Sequence, residues 1–300
     1  MRVNPFYISN LVSTLDDTQA TEQQLSAQVS SGARFSSLGE DPVAAGRNVM
    51  LLNQIQRDDS FTETSGLVTG QLQVADSALG GVVTQLTQAL SLATAANNGT
   101  MNASDVKAIS NQIAGILSEV ESLANMSYQG QYIFAGGQTS TIPFSRSTAT
   151  SPGVTTYNGD SDINYLVTPN GQKIQMNVPG DAIFTSGGTN GVFGALNALV
   201  ADYAAGSVNL AQASADTGAL TSALQTISRQ RVIIDNSMTQ LTAASAATTS
   251  EKTQLTSAQT DLMQADMATV ATQLALTKTQ QTALEAIISQ LGSGSLFDKL

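Results

Sequence analysis

The sequence predicts a mainly α-helical fold: long helices, an antiparallel coiled coil made by the two ends of the chain, and a small inserted β domain. Three observations carry this prediction. Seam residues near the start, Ile8, Leu11, Leu15, Thr18, Glu22, Leu25 and Val29, alternate in steps of three and four, the spacing of a heptad seam. The final segment repeats the rhythm at Met263, Met267, Val270, Leu274, Thr277, Gln281, Leu284, Ile288 and Leu291. Between residues 131 and 188 the period shortens to two, and Gly, Pro, Thr and Tyr become frequent, as strands and turns require. The expected organisation is a terminal coiled coil from 1–38 and 262–300, a helical bundle from 39–130 and 189–261, and a β domain from 131–188.

The elements follow in order. Ser31-Gly32 ends the first helix, because Gly takes the left-handed conformation beyond a helix end at little cost. Asp41-Pro42 starts the second: Asp caps free N–H groups, and Pro fits the first helical position. That helix should run from about 42 to 96, with Leu72, Ala75, Leu79, Val82, Leu86, Ala89 and Ala93 on its inner face. Gly66, Gly70 and Gly80-Gly81 within it mark a close backbone contact or a bend. A third helix begins between Asn102 and Asp105, carries Val106, Ile109, Ile113, Ile116, Val120 and Leu123, and stops before Gly130. Candidate strands are Tyr132-Ile133-Phe134, Asn164 to Val167 and Lys173 to Met176, the last two joined by the turn Thr168-Pro169-Asn170-Gly171. Helical pattern returns at Val192 to Tyr203, breaks at Gly206, and resumes from about 208.

Each terminal seam carries a polar pair near its middle, Thr18 and Glu22 at one end, Thr277 and Gln281 at the other. In an antiparallel register that sets Leu15 against Leu284 and Leu25 against Leu274, Thr18 meets Gln281 and Glu22 meets Thr277. No polar group then faces an apolar one. Isolated helices of this length are marginal in water, so the ends are expected to order fully only against neighbouring subunits.

Composition narrows the function. Only 12% of the 300 residues are charged, about half the usual share of roughly a quarter. A surface poor in charge suits burial against other subunits. The net charge of −11 speaks against nucleic acid and against an anionic membrane surface. No apolar run approaches the roughly 20 residues that span a bilayer, so no membrane partner is expected. Met1 to Asn10 lacks the basic-then-apolar pattern of a signal peptide. Without Cys or His, thiol and imidazole catalysis, zinc sites and disulfides are excluded. No catalytic residue, cofactor or metal is expected.

The remaining motifs read as structure. Asp58-Asp59 and Glu119/Glu121 do not share a helix face, so they suit a solvated surface better than acid–base work. Asn158-Gly159-Asp160-Ser161-Asp162 lacks the twelfth-position Glu of a calcium loop and reads as a turn. Gly136-Gly137 and Gly187-Gly188 lack the setting of a phosphate loop.

Several stretches are similar to a known family. Leu25 to Arg34 (LSAQVSSGAR) and Glu40 to Ala45 (EDPVAA) resemble the N-terminal signature of bacterial flagellins and their relatives. Asp41-Pro42, Gly130 to Gly136 (GQYIFAG) and Pro143-Phe144 resemble the junction branch of that family, and the C-terminal run from Ala265 through Leu284, ending in Leu296-Phe297, resembles the closing helix of the family as a whole. The resemblance covers roughly 1–145 and 208–300, and its motif residues are Ser31, Gly32, Arg34, Asp41, Pro42, Tyr132, Phe134 and Gly136. It implies a non-enzymatic subunit between the flagellar hook and the filament, exported unfolded through the type III channel without a cleavable signal. It also implies a ring or tube of copies of itself, with a hook-side junction protein, flagellin and an export chaperone as partners, and a β domain facing outward. The alternatives are flagellin itself, a carboxylate glycosidase, and a cytosolic coiled-coil binding module.

Overall fold

The structure is a computed structural model describing residues 5–35, 37, 39–98, 101–147, 153–186 and 191–293. Leu296-Phe297 and Gly187-Gly188 lie outside the described residues. The chain divides into two compact units, one of residues 1–57 with 250–300 and one of residues 58–249. Two long helices, α2 (Pro42–Ala96) and α5 (Leu210–Met263), supply residues to both.

In the larger unit, α2 and α5 are joined by α3 (Ala103–Ala124) and α4 (Val192–Ala204). The expected inner face of α2 is the buried one: Leu72, Leu79, Val82, Leu86, Ala89 and Ala93 line a core completed by Ile113, Leu117 and Val120 of α3, Leu196 and Leu199 of α4, and Leu220, Ile227, Ile234 and Leu241 of α5. Asn102 caps α3 through its side chain, which accepts from the Asp105 N–H at 2.9 Å. Arg231 of α5 clasps Asp76 of α2 with two bonds of 2.7 and 2.9 Å, the bidentate geometry that makes guanidinium–carboxylate pairs strong. Of the glycines in α2, Gly70 has a visible reason: a Cβ there would sit 2.5 Å from the Tyr128 hydroxyl, whereas one at Gly66 would touch nothing.

The strand region forms three separate two-stranded antiparallel pairs: β1 (Ser127–Tyr128) with β2 (Gln131–Tyr132), β3 (Phe144–Arg146) with β4 (Thr155–Tyr157), and β5 (Tyr165–Val167) with β6 (Lys173–Gln175). The β5–β6 hairpin sets Leu166 against Ile174 across the expected turn, in which Gly171 has φ +83° and donates to the Thr168 carbonyl. The expected strand at Tyr132-Ile133-Phe134 is corrected: the strand ends at Tyr132, the Ile133 N–H still donates to the Met126 carbonyl at 3.1 Å, and Ile133 and Phe134 are buried in the core. Apolar burial overrides the two-residue alternation there. The β3–β4 hairpin is not among the strands expected from the sequence. Phe134, Phe144, Phe184 and Phe193 form one aromatic cluster, with neighbouring centroids 5.1–5.6 Å apart. Phe184 reaches it from a single π-helical turn, Asp181–Thr185. Phe134, Phe144, Ile174 and Phe184 belong to the same core as the helices.

The smaller unit holds α1 (Pro5–Ser31), α6 (Met267–Ser293), the first turns of α2 and the last turns of α5. The chain breaks at Gln264-Ala265-Asp266 between α5 and α6. Met263 packs with Phe35, Ala44, Ala45 and Leu262 instead of beginning the terminal seam.

Candidate assembly surface

The terminal helices run antiparallel. Gly32 faces Ala265, Leu25 lies in a cluster with Ala265 and Val270 against which Leu274 packs, and Glu22 pairs with Lys278 at 3.8 Å. On α6 the less exposed positions are Val270, Leu274, Thr277, Gln281, Leu284 and Ile288, in steps of four and three. On α1 they are Leu11, Leu15, Thr18, Glu22 and Leu25. Leu25, only 7% exposed, is the most buried of the α1 residues named as seam. Side chains of Ile8 and Leu291 lie outside the described residues.

Val29 departs from the pattern. It is 37% exposed, and Gln28 turns inward instead, its Nε2 donating to the Arg34 carbonyl at 2.7 Å. The cause is local: the chain must leave α1 at Gly32, where φ is +69°, and Gln28 ties the departing strand back. The polar pairs also find partners differently from the expected rungs. The Thr18 hydroxyl donates to the Thr14 carbonyl at 2.7 Å and Thr277 to Gln273 at 2.9 Å, each within its own helix. Gln281 donates to Glu285 at 3.1 Å. Thr side chains satisfied by the preceding turn need no partner across a seam.

The motif residues 31–42 build a connector. The Ser31 hydroxyl donates to the Ala27 carbonyl and accepts from the Ala33 N–H. Ala33 then forms an antiparallel bridge with Gln264, flanked by Ala265 N–H to the Gly32 carbonyl at 2.9 Å and Arg34 N–H to the Met263 carbonyl at 2.7 Å. The exit from α1 is thus stitched to the break between α5 and α6. Arg34 spans from Asp41, with which it pairs, to the Phe35 ring, 5.8 Å from its guanidinium carbon. Asp41 caps α2 by accepting from the Ala44 N–H at 2.9 Å, and that bond, with Arg34 beside it, lowers the carboxyl below its ordinary value of 3.8. Asp266 plays the same part for α6: bonds from the Thr269 hydroxyl and N–H, and from the Ala268 N–H, hold it below 3.8. The sequence signal for Asp266 was present, an Asp three residues before Thr269, but it sat inside a run that reads as helix.

The second motif group sits in the larger unit. Phe134 is fully buried, and its carbonyl accepts from the Gly180 N–H at 2.8 Å and the Tyr157 hydroxyl at 3.0 Å. Tyr132 donates its N–H to the Thr139 carbonyl. Gly136 has φ +69°.

Apolar residues remain uncovered on the terminal pair outside the seam: Tyr7 and Val12 on α1, and Leu276 and Ile287 on α6, are exposed, as is Met267, which the heptad spacing places in the seam. At the start of α2, Val43, Val49 and Met50 are exposed as well. None of the helices among the described residues is long and apolar enough to cross a membrane.

Residues 6–139 match the family described as the bacterial flagellin N-terminal helical region. Over 138 residues the chain is 29% identical to flagellar hook-associated protein 3 of Salmonella typhimurium, covering 46% of this chain and 44% of that protein. Over 132 residues it is 30% identical to flagellar hook-associated protein 3 of Escherichia coli, covering 44% of this chain and 42% of that one. Each match thus spans less than half the length of these relatives. Among solved structures, the fold resembles that of the flagellar junction protein FlgL from Legionella pneumophila, with a TM-score of 0.57 at 14% identity over 72% of this chain and 99% of that one.

Proposed function

We propose that this chain is a structural junction subunit of the bacterial flagellum, linking the hook region to the filament by packing of its helices and without catalysis. The observation that carries the reading is the terminal pair itself. Its narrow seam buries few residues, and apolar side chains stay exposed outside that seam. Exposed apolar residues clustered on paired helices mark surfaces that other subunits cover. The relatives named hook-associated protein 3, and a structural relative named a junction protein, favour this reading over flagellin.

In this reading copies of the chain form a ring or tube. The seam residues Ile8, Leu11, Leu15, Leu25, Val29, Val270, Leu274, Leu284, Ile288 and Leu291 pack within and between subunits. The terminal helices at 1–38 and 262–300 line the tube, the helices of 39–130 and 189–261 surround them, and residues 131–188 face outward. A hook-side junction protein lies on one side and flagellin on the other. An export chaperone meets the chain before it leaves the cell unfolded to reach the flagellum outside.

Deleting the gene tests the function. The expected result is cells that build hooks but shed filament protein into the medium; intact filaments on the deletion strain would refute it. The register has its own test. The chain has no Cys, so cysteines placed at Leu15 and Leu284 should crosslink in the assembled state. Crosslinking only to positions a heptad away would refute the pairing.

A further inference from the structure

The first turns of α2 carry a surface that the smaller unit leaves open. Val43, Arg47 and Met50 follow one another in steps of four and three and are all exposed, Val43 by 67% and Met50 by 72%. Arg47, Met50 and Leu51 line a groove of about 380 Å³ whose other wall is Ala258 and Leu262 of α5. The lining is apolar except for one charge, the Arg47 guanidinium. Among the described residues that guanidinium has neither a hydrogen bond nor an ion pair, whereas Arg34 pairs with Asp41 and Arg57 donates to Gln54. Arg and Met are side chains that protein–protein interfaces collect.

The same unit exposes a stripe of matching chemistry on α1. Ser9, Val12, Asp16, Gln19 and Gln23 follow steps of three and four, so they share one face of the helix, and each is exposed. The face turned toward α6 is the one that carries Leu11, Leu15 and Leu25, so the stripe lies on the flank of the terminal pair. Val12 is 44% exposed. The Asp16 carboxylate, like the Arg47 guanidinium, has no partner among the described residues, and the two make no ion pair with each other within the chain.

We propose that the groove at Arg47 receives the Val12–Asp16 stripe of a second copy of this chain, an inference that rests on the ring or tube of copies described above. Laid antiparallel, the stripe sets Val12 into the groove against Met50 and Leu262, and Asp16 against Arg47. Four residues along α1 and three along α2 rise about 6 and about 4.5 Å, a difference that the long Arg side chain spans. Apolar surface then meets apolar surface, and the unpaired guanidinium meets an unpaired carboxylate. Complementary charges of this kind fix register and partner more than they add affinity. A second copy is the occupant because groove and stripe are different surfaces of one chain. A copy that fills its neighbour's groove still offers its own, and such head-to-tail contacts build rings and tubes, whereas a two-fold pair closes after two copies. The contact also covers Val12 and Met50, apolar side chains that one chain leaves in water.

The test uses the full chain, exported and assembled by the producing cells. Val12→Cys and a size-tagged Met50→Cys are co-expressed, both at exposed positions of a chain without other thiols. Oxidation of isolated flagella should yield a mixed dimer of the two variants, and both cysteines in one chain should yield a ladder of higher multiples. Dimers of either variant with itself and no mixed dimer, a crosslink closed within one chain, or no crosslink in flagella that contain both variants would overturn the proposal and leave the junction reading intact. Absence of the chain from flagella would overturn both. Charge reversal supplies a second readout. Asp16→Arg or Arg47→Asp alone sets like charges together and should lower the chain retained in flagella about fivefold or more, while the two combined should return it to within about twofold of wild type. Retention equal to wild type in each single reversal, or no recovery in the double variant, would overturn the pairing. Where a reversal prevents folding, the cysteine pair decides.

Discussion

Two glycines of the same backbone conformation separate strain from crowding. Gly32 and Gly136 both have φ +69°. A Cβ on Gly32 would meet nothing, while one on Gly136 would stand 2.2 Å from the Asp160 carbonyl oxygen. Gly32→Ala should therefore lose only the left-handed conformational penalty, about 1–2 kcal/mol. Gly136→Ala should lose more, above about 2 kcal/mol, because backbone must move as well. Urea unfolding of the two variants measures the order; equal losses would show that Asp160 yields freely. Local chemistry of this kind was legible in part. Gly32 as a stop and Asp41-Pro42 as a start follow from turn and cap preferences alone. The cap at Asp266 did not, because the break it serves is held by Gln264 pairing with Ala33, a partner more than two hundred residues away in sequence. The two caps also set a pH response. Asp41 and Asp266 are held below 3.8, so the stability they add is present above that value and lost as pH falls through their lowered folded-state values. Circular dichroism should show helicity falling below about pH 4 in the wild type, and less so when Asp41 and Asp266 are both replaced by Ser, which caps without titrating.

At the scale of elements, the terminal pair and the larger unit differ in how their helices are held. Helices α3 and α4 are buried against α2 and α5 through Ile113, Leu117, Leu196 and Leu199, whereas α1 and α6 share a cluster of Leu25, Ala265 and Val270 with Leu274 beside it. Helices with few buried apolar contacts open first. Native-state hydrogen exchange should accordingly be faster in 6–31 and 267–290 than in 106–124 and 192–204 in the free subunit. Leu25→Ala should widen that gap, removing about 2 kcal/mol or more from the terminal pair, while amides of α3 exchange as before. Uniform protection along the chain would contradict this division. The heptad spacing made these helices visible in the sequence, because a seam needs only one residue type at a fixed interval. It did not reveal that Gln28 would replace Val29 beside the connector, since that choice depends on where the chain turns. The two-residue period likewise found β5 and β6 but missed β3 and β4, where Phe144 pairs with Tyr157 across the strands and the two rings stand 5.0 Å apart.

For the whole molecule, the functional reading rests on surfaces that a single chain leaves unfinished. Low charge, a thin terminal seam and exposed apolar residues such as Val12, Leu276 and Ile287 all point to burial supplied by other subunits. Flagellin would share these features, so position in the flagellum is what separates the two readings. If the chain were flagellin, the purified protein would polymerise into long filaments, and the proposal predicts short assemblies or none. The most direct measurement is immunogold electron microscopy of flagella isolated from the producing cells, with an antibody against this chain. The junction reading predicts label confined to a short band where hook meets filament. Label along the length of the filament, or none on the flagellum at all, would contradict it.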